Sequence, residues 1–208
     1  MQIRQIIPWW MAVVRSALGP VILIGERCNW SGCGLAALVI TALASDIFDG
    51  VLARRWKCDT AGLRLFDSMA DTVFYLFVAV ALWTGPSTAL RENAPLLLAL
   101  LGLEATRYMV DFAKFGKPAS YHSYLAKTWG LVMAMAVVTV FATGGGGLLI
   151  GGSLVLGLLC NAEGLAMSCI LPRWTRDVRG IPAAIRLRQA WLAETAPPAP
   201  SRPLLKYW

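Results

Sequence analysis

The sequence predicts an all-α polytopic membrane protein, a bundle of six transmembrane helices. Three observations predict it. Apolar residues make up 57% of the chain and mean hydropathy is +0.59, more apolar surface than a soluble domain of this size can hide. Charged residues amount to only 15% and collect between apolar runs. Six of those runs approach the roughly 20 residues that a helix needs to cross a bilayer.

The six spans are expected at residues 8–24, 34–48, 65–83, 95–112, 124–142 and 148–171, with the second continuing as helix beyond the bilayer. Lys and Arg collect on the cytoplasmic side of membrane proteins. Starting the chain inside puts Arg4, then Arg54, Arg55, Lys57 and Arg64, then Lys114, Lys117 and Lys127 on that side. The tail adds Arg173, Arg176, Arg179, Arg186, Arg188, Arg202 and Lys206, while the outer loops hold only Arg27 and Arg91. Both termini are therefore expected in the cytoplasm. The net charge of +7 suits an anionic membrane surface and not nucleic acid, because the cations flank apolar runs. The first apolar run lacks a small-residue cleavage site and reads as a retained helix.

Within the spans, Gly144 to Gly147 predict a tight turn, and Gly151, Gly152 and Gly157 predict close helix packing. Cys28, Cys33, Cys58, Cys160 and Cys169 form no CxxC pair, so with the lone His122 they argue against zinc and read as small apolar fillers. Residues 1–172 form the expected membrane domain. Residues 173–208 form a basic cytosolic tail with an interfacial helix near 183–194 and a disordered end at Pro197-Pro198-Ala199-Pro200.

The chemistry is expected at residues 46–71. Asp46 and Asp49 are three apart and Asp67 and Asp71 are four apart, spacings that put each pair on one helix face. The first pair ends the second span and the second begins the third, so both should face each other at similar depth. Four carboxylates near lipid are costly and raise one another's pKa. Divalent cations remove both problems, and an all-oxygen set suits Mg²⁺, Mn²⁺ or Ca²⁺. Four acids could hold two ions, a device suited to phosphoryl chemistry. The plainer alternative is that the acids pair with Arg54, Arg55, Arg64 and Lys57.

This segment resembles the signature of the CDP-alcohol phosphatidyltransferases: D-x-x-D-G-x-x-A-R, then G-x-x-x-D-x-x-x-D. Asp46, Asp49, Gly50, Ala53, Arg54, Asp67 and Asp71 match, whereas the second glycine falls at Leu63, with Gly62 one position earlier. The resemblance implies a six-helix homodimer that transfers a phosphatidyl group from CDP-diacylglycerol to an alcohol and releases CMP. It implies a bacterial-type inner-membrane location, with lipid tails entering sideways and the polar acceptor arriving from the cytoplasm. It further implies that Asp46, Asp49 and Asp67 bind Mg²⁺ or Mn²⁺, two ions in all. Asp71 would contact metal and act as general base, Gly50, Ala53 and Gly62 would leave room for the nucleotide, and Arg54 would face its phosphates. The stretch from Ile7-Pro8 to Arg15 is similar to the family's first helix, where Arg15 either partners the acids or snorkels to the interface.

The acceptor side is expected around Glu104, Arg107, Asp111, Lys114, Lys117 and Lys127-Thr128. Arg107 and Lys127 suit an anionic, phosphorylated acceptor. Alternatively Arg107 pairs with Glu104, Asp111 or the intramembrane Glu163. Lys127-Thr128 is similar to the family's glycerol-phosphate branch, which makes glycerol 3-phosphate the leading acceptor ahead of inositol phosphate, serine or another alcohol. His122 is read as loop structure near that site. A small cation transporter would spread its acids across the bilayer depth and carry an internal repeat, and the sequence does neither. An inactive relative would have lost some of the aspartates, and all four are present.

Overall fold

A computed structural model describes residues 3–56, 58 and 60–195. Lys57, Arg202, Lys206 and the expected disordered end at 197–200 lie outside the described residues. The described residues fold into seven long helices and one single-turn helix: α1 (Ile3–Arg27), α2 (Gly32–Arg55), α3 (Ala61–Thr84), α4 (Ala89–Glu92), α5 (Ala94–Phe115), α6 (Tyr124–Thr143), α7 (Gly147–Ile170) and α8 (Ile181–Thr195). No strand occurs among the described residues.

Among the described residues, five helices are long and apolar enough to cross a membrane: α1 from Ile6, α2, α3 from Phe66, α6 and α7. The sixth expected span, α5, has 22 residues, about 33 Å at 1.5 Å per residue. Glu104, Arg107, Asp111 and Lys114 break the apolar character of its second half. The charged side of that half is the part of a membrane helix that turns toward protein or water.

Local chemistry sets the helix ends. Ser31, Thr60 and Ser123 each accept the backbone N–H three residues on, from Gly34, Leu63 and Ala126, and so cap α2, α3 and α6. Gly144 ends α6 at φ 73°, and Gly146 precedes α7 at φ 107°. The glycine run is therefore the turn between them, where glycine takes the left-handed backbone without a Cβ penalty.

Helix α1 packs on α2 and α3, α2 packs on α6, and α7 receives α5, α6, α4 and α8. The main core joins Ile22, Leu35, Val39, Phe74, Val78, Val137, Val140, Ile150 and Leu154. A smaller cluster of Tyr121, Met167, Leu171, Val178 and Ala184 seats α8 against the end of α7.

Small residues set the closest helix contacts. A Cβ on Gly32 would lie 2.0 Å from the Phe141 carbonyl oxygen, and one on Gly157 would lie 2.7 Å from the Trp129 ring. Gly151 abuts the Asn93 amide, whereas Gly152 faces open space and plays no part in close packing. Substituting Gly32→Ala should force the α2 and α6 backbones apart, at about 1–3 kcal/mol. A lowered thermal unfolding midpoint in detergent would register it, while Gly152→Ala should leave the midpoint unchanged. Of the cysteines only Cys160 is buried. Cys28, Cys33 and Cys169 are exposed on the chain, so the filler role expected for the set holds for one member.

Candidate functional site

The link between α2 and α3 spans only residues 56–60, and α1 packs against both helices. Asp46 and Asp49 of α2 and Asp67 and Asp71 of α3 therefore converge where α1 lies between them. Arg15 reaches in from α1 and lies at the centre. Its Nη1 donates to Asp46 Oδ1 and its Nη2 to Asp67 Oδ1. Nη2 also lies 3.3 Å from Asp49 Oδ2, and Nε lies 3.1 Å from Asp71 Oδ1. Among the described residues, Arg15 is the ion-pair partner of all four acids.

Exposure is graded across this group. Arg15 is 1% exposed and Asp49 4%. The side chains of Asp46 and Asp71 are 39% exposed and that of Asp67 29%. The cluster is thus closed at its base and open on one side.

Asp46, Asp49 and Asp67 each offer one oxygen, and these oxygens lie within 4.8 Å of one another. Asp49 Oδ2 is buried and accepts no hydrogen bond. A compact set of carboxylates with an unsatisfied inner oxygen fits a hard divalent cation, which takes oxygen ligands at 2.0–2.6 Å. The basic residues expected as alternative partners do not fill this role. Neither Arg54 nor Arg55 pairs with the acids, and Lys57 and the Arg64 side chain lie outside what is described.

The other signature positions surround the acids. Ala53 is buried, one turn beyond Asp49. Arg54 is exposed and folds back along its helix, with Nη1 3.6 Å from where a Gly50 Cβ would stand. A Cβ at position 50 would stand in ordinary contact with that guanidinium. Leu63 lies one turn before Asp67 on the same face and is 5% exposed. Its isobutyl group occupies buried space that a glycine would leave open. Gly62 is exposed, and a Cβ there would approach only the Trp9 ring, at 4.0 Å. The glycine of the sequence and the close-packed position are thus different residues.

Helices α5, α6 and α7 carry a second polar group. Arg107 lies eight residues from the end of α5, and Asp49 six from the end of α2, about 12 Å and 9 Å of helix rise. The Arg107 stem packs on Gly164, where a Cβ would come within 3.0 Å of Cδ. Its Nε is buried without a hydrogen-bond partner. Among the described residues Arg107 makes no ion pair, so the expected pairing with Glu104, Asp111 or Glu163 is replaced by a cation–π contact with Tyr108 at 5.1 Å. Glu163 instead accepts from Ser123 Oγ at 2.7 Å. Lys127 is exposed, with Nζ 5.9 Å from the Tyr124 ring. His122, at φ 48° in the α5–α6 loop, contacts Ser120 Oγ through Nε2 at 2.9 Å.

Sequence reading missed a buried clasp behind this group. Asp111, fully buried, accepts from Ser168 Oγ and from the Ala119 N–H at 3.1 Å. Tyr121 OH completes the chain by contacting Ser168 Oγ at 2.9 Å. Burial pushes the Tyr121 phenol above its usual range, so it remains a donor. Lys114 Nζ donates to the last free carbonyls of α7, at Ser168 and Cys169. Trp174 Nε1 donates to Pro118 O at 3.0 Å. These bonds tie the α5–α6 loop to the α7–α8 linker. Asp111 and Lys114 therefore serve loop geometry, and the one available sequence signal was the cost of an unexplained acid in a membrane helix.

The whole arrangement belongs to a recognised class. The chain matches the family model for CDP-alcohol phosphatidyltransferase over residues 5–162, about three-quarters of its length, and it belongs to that family. It is similar to proteins described as CDP-diacylglycerol--glycerol-3-phosphate 3-phosphatidyltransferase. Those from Yersinia pestis (strain Pestoides F) and Yersinia enterocolitica are 38% and 37% identical over 78 residues, and that from Sodalis glossinidius is 35% identical over 78. Each match covers 36% of this chain and 41% of the relative, so the matched part spans about four-tenths of the relatives' length. No solved structure matches.

Proposed function

We propose that this integral membrane protein transfers a phosphatidyl group from CDP-diacylglycerol to an alcohol and releases CMP, with glycerol 3-phosphate as the leading acceptor. The observation that carries the reading is the convergence of Asp46, Asp49, Asp67 and Asp71 from two helices on one open-sided cluster. Asp46, Asp49 and Asp67, with Asp71 beside them, are the residues to hold Mg²⁺ or Mn²⁺, one ion or two. Bound there, divalent ions would neutralise phosphate charge and stabilise the leaving group.

The remaining steps fall to the chain's own residues. Gly50 and Ala53 keep the α2 face low enough for the nucleotide, with Gly62 exposed at the edge of the same region. Arg54, free of acid partners and exposed, faces its phosphates. Asp71 takes the proton from the acceptor hydroxyl as that oxygen bonds to the phosphatidyl phosphorus and the bond to CMP breaks. Arg107, with an unsatisfied buried Nε, and exposed Lys127 attract an anionic acceptor. The relatives' described acceptor is consistent with that charge.

Orientation follows from charge. Arg54, Arg55, Lys114, Lys117, Lys127, Arg173, Arg176, Arg179, Arg186 and Arg188 lie toward the acid end of the bundle, against Arg27 and Arg91 at the other. The acid end therefore faces the cytoplasm, together with both termini. Residues 1–172 act as the membrane domain and 173–208 as a basic interfacial tail. The exposed apolar α5 face, including Leu98, Leu101, Met109 and Phe112, lies against lipid or a second copy in a homodimer.

The test is CMP release by purified protein with CDP-diacylglycerol and Mn²⁺, offering glycerol 3-phosphate, inositol phosphate and serine separately. Glycerol 3-phosphate should give the fastest release, and Arg107→Gln should raise its KM about tenfold or more while leaving that of CDP-diacylglycerol unchanged. Faster release with uncharged or zwitterionic acceptors would reassign the acceptor. No release with any acceptor would remove the proposed reaction.

A further inference from the structure

The position suited to a divalent ion is already held by a cation of the chain. Arg15 contacts Asp46 Oδ1 and Asp67 Oδ1 and approaches Asp49 Oδ2 to 3.3 Å. These are carboxylates of the same three residues that offer a compact ligand set. The guanidinium arrives from α1, which contributes no acid to the set, and its side chain is only 2% exposed. An ion held by these three residues would stand against the Arg15 guanidinium, which contacts two of them, and like charges at that range repel.

We propose that Arg15 is a built-in counter-cation that gathers the four carboxylates when the protein is free of divalent ions and withdraws from Asp46 and Asp67 when an ion loads. The inference rests on the metal-dependent function proposed above. The reason is electrostatic. Four ionised carboxylates carry a charge of −4 at the membrane boundary, and Arg15 reduces it to −3. Without it, α2 and α3 would repel each other whenever the ions left. With it, loading becomes an exchange of one cation for another. The exchange weakens ion affinity but keeps the unloaded site assembled. Because Nε faces Asp71 separately, at 3.1 Å, Arg15 can leave the inner oxygens while keeping a partner at the rim. Arg15 is thus a positioning residue that acts through the aspartates.

The test compares the full-length wild-type protein with Arg15→Gln and Arg15→Lys in detergent. Mn²⁺ binding is read from the free-ion electron paramagnetic resonance signal, and thermal unfolding is followed in EDTA and in saturating Mn²⁺. Arg15→Gln should bind Mn²⁺ about tenfold or more tightly, the effect of removing a unit charge at contact distance. Its unfolding midpoint should fall in EDTA and return to the wild-type value in Mn²⁺. Arg15→Lys, with a single compact charge, should fall between on both measures. It also keeps the test decisive if the glutamine variant does not survive EDTA. Unchanged or weaker Mn²⁺ binding, or a midpoint deficit equal in both conditions, would make Arg15 an ordinary packing residue and leave the proposed function standing. Absence of Mn²⁺ binding by the wild type would overturn both readings.

Discussion

Asp71→Asn should slow CMP release by about 10²- to 10⁴-fold while leaving CDP-diacylglycerol bound, the span expected when a positioned general base is removed. The change is close to isosteric. The amide oxygen can keep the place that Asp71 Oδ1 holds 3.1 Å from Arg15 Nε, so the contact between α1 and α3 is kept. What is lost is the ability to take a proton. Asp71 suits that task because it stands at the rim, with its side chain 39% exposed, where an acceptor hydroxyl can reach it. It also lies outside the compact ligand group of Asp46, Asp49 and Asp67. The two kinds of acid therefore separate experimentally. Asp71→Asn should retain Mn²⁺ binding within a few-fold, whereas Asp67→Asn should lose binding and turnover together. Paired measurements of Mn²⁺ affinity and single-turnover CMP release make the comparison. An Asp71→Asn protein with full turnover would move the base elsewhere.

The legible parts of this protein are those governed by short-range periodicity. Apolar runs and the glycine turn at 144–147 marked the long helices, because hydrophobic length and a left-handed glycine are local features. The aspartate pairs were legible for the same reason: spacings of three and four fix a helix face without knowledge of tertiary structure. The short α4 turn and the Asp111–Ser168–Tyr121 clasp were not legible. Asp111 and Ser168 are 57 positions apart, and nothing in either segment names the other. Arg15 lay between the two cases. Its cost in a membrane helix marked it as needing a partner, but only packing of α1 between α2 and α3 selected all four acids over the interface. Leu63 shows the converse limit. Counting identified the departure from the motif, yet only burial shows that this side chain fills the space beside Asp67 while Gly62 looks outward.

Asp49→Asn should abolish turnover and yet raise the stability of the ion-free protein. Asp49 is the innermost acid, 4% exposed, and its Oδ2 receives no hydrogen bond. A buried carboxylate oxygen without a hydrogen bond adds to the cost of keeping the group ionised. Removing one partner of a buried ion pair is usually destabilising because it strands the other charge. Here Arg15 retains Asp46, Asp67 and Asp71, so no charge is stranded and the net charge of the cluster falls from −3 to −2. Repulsion between α2 and α3 should decrease, and the unfolding midpoint in EDTA should rise by a few degrees, on the order of 1 kcal/mol for a chain of this size. The response to ions should reverse. An ion at about 100 times its dissociation constant stabilises the wild type by about 2.7 kcal/mol, and the variant should lose most of that shift along with a ligand. CMP release should fall by about 10³-fold or more, because the leaving group loses its charge compensation. Thermal unfolding with and without Mn²⁺, set beside CMP release, tests all three expectations. A variant destabilised in EDTA would mean that Asp49 holds the bundle together. A stabilised but inactive variant would mean that the site carries its acids for chemistry, at the expense of the fold.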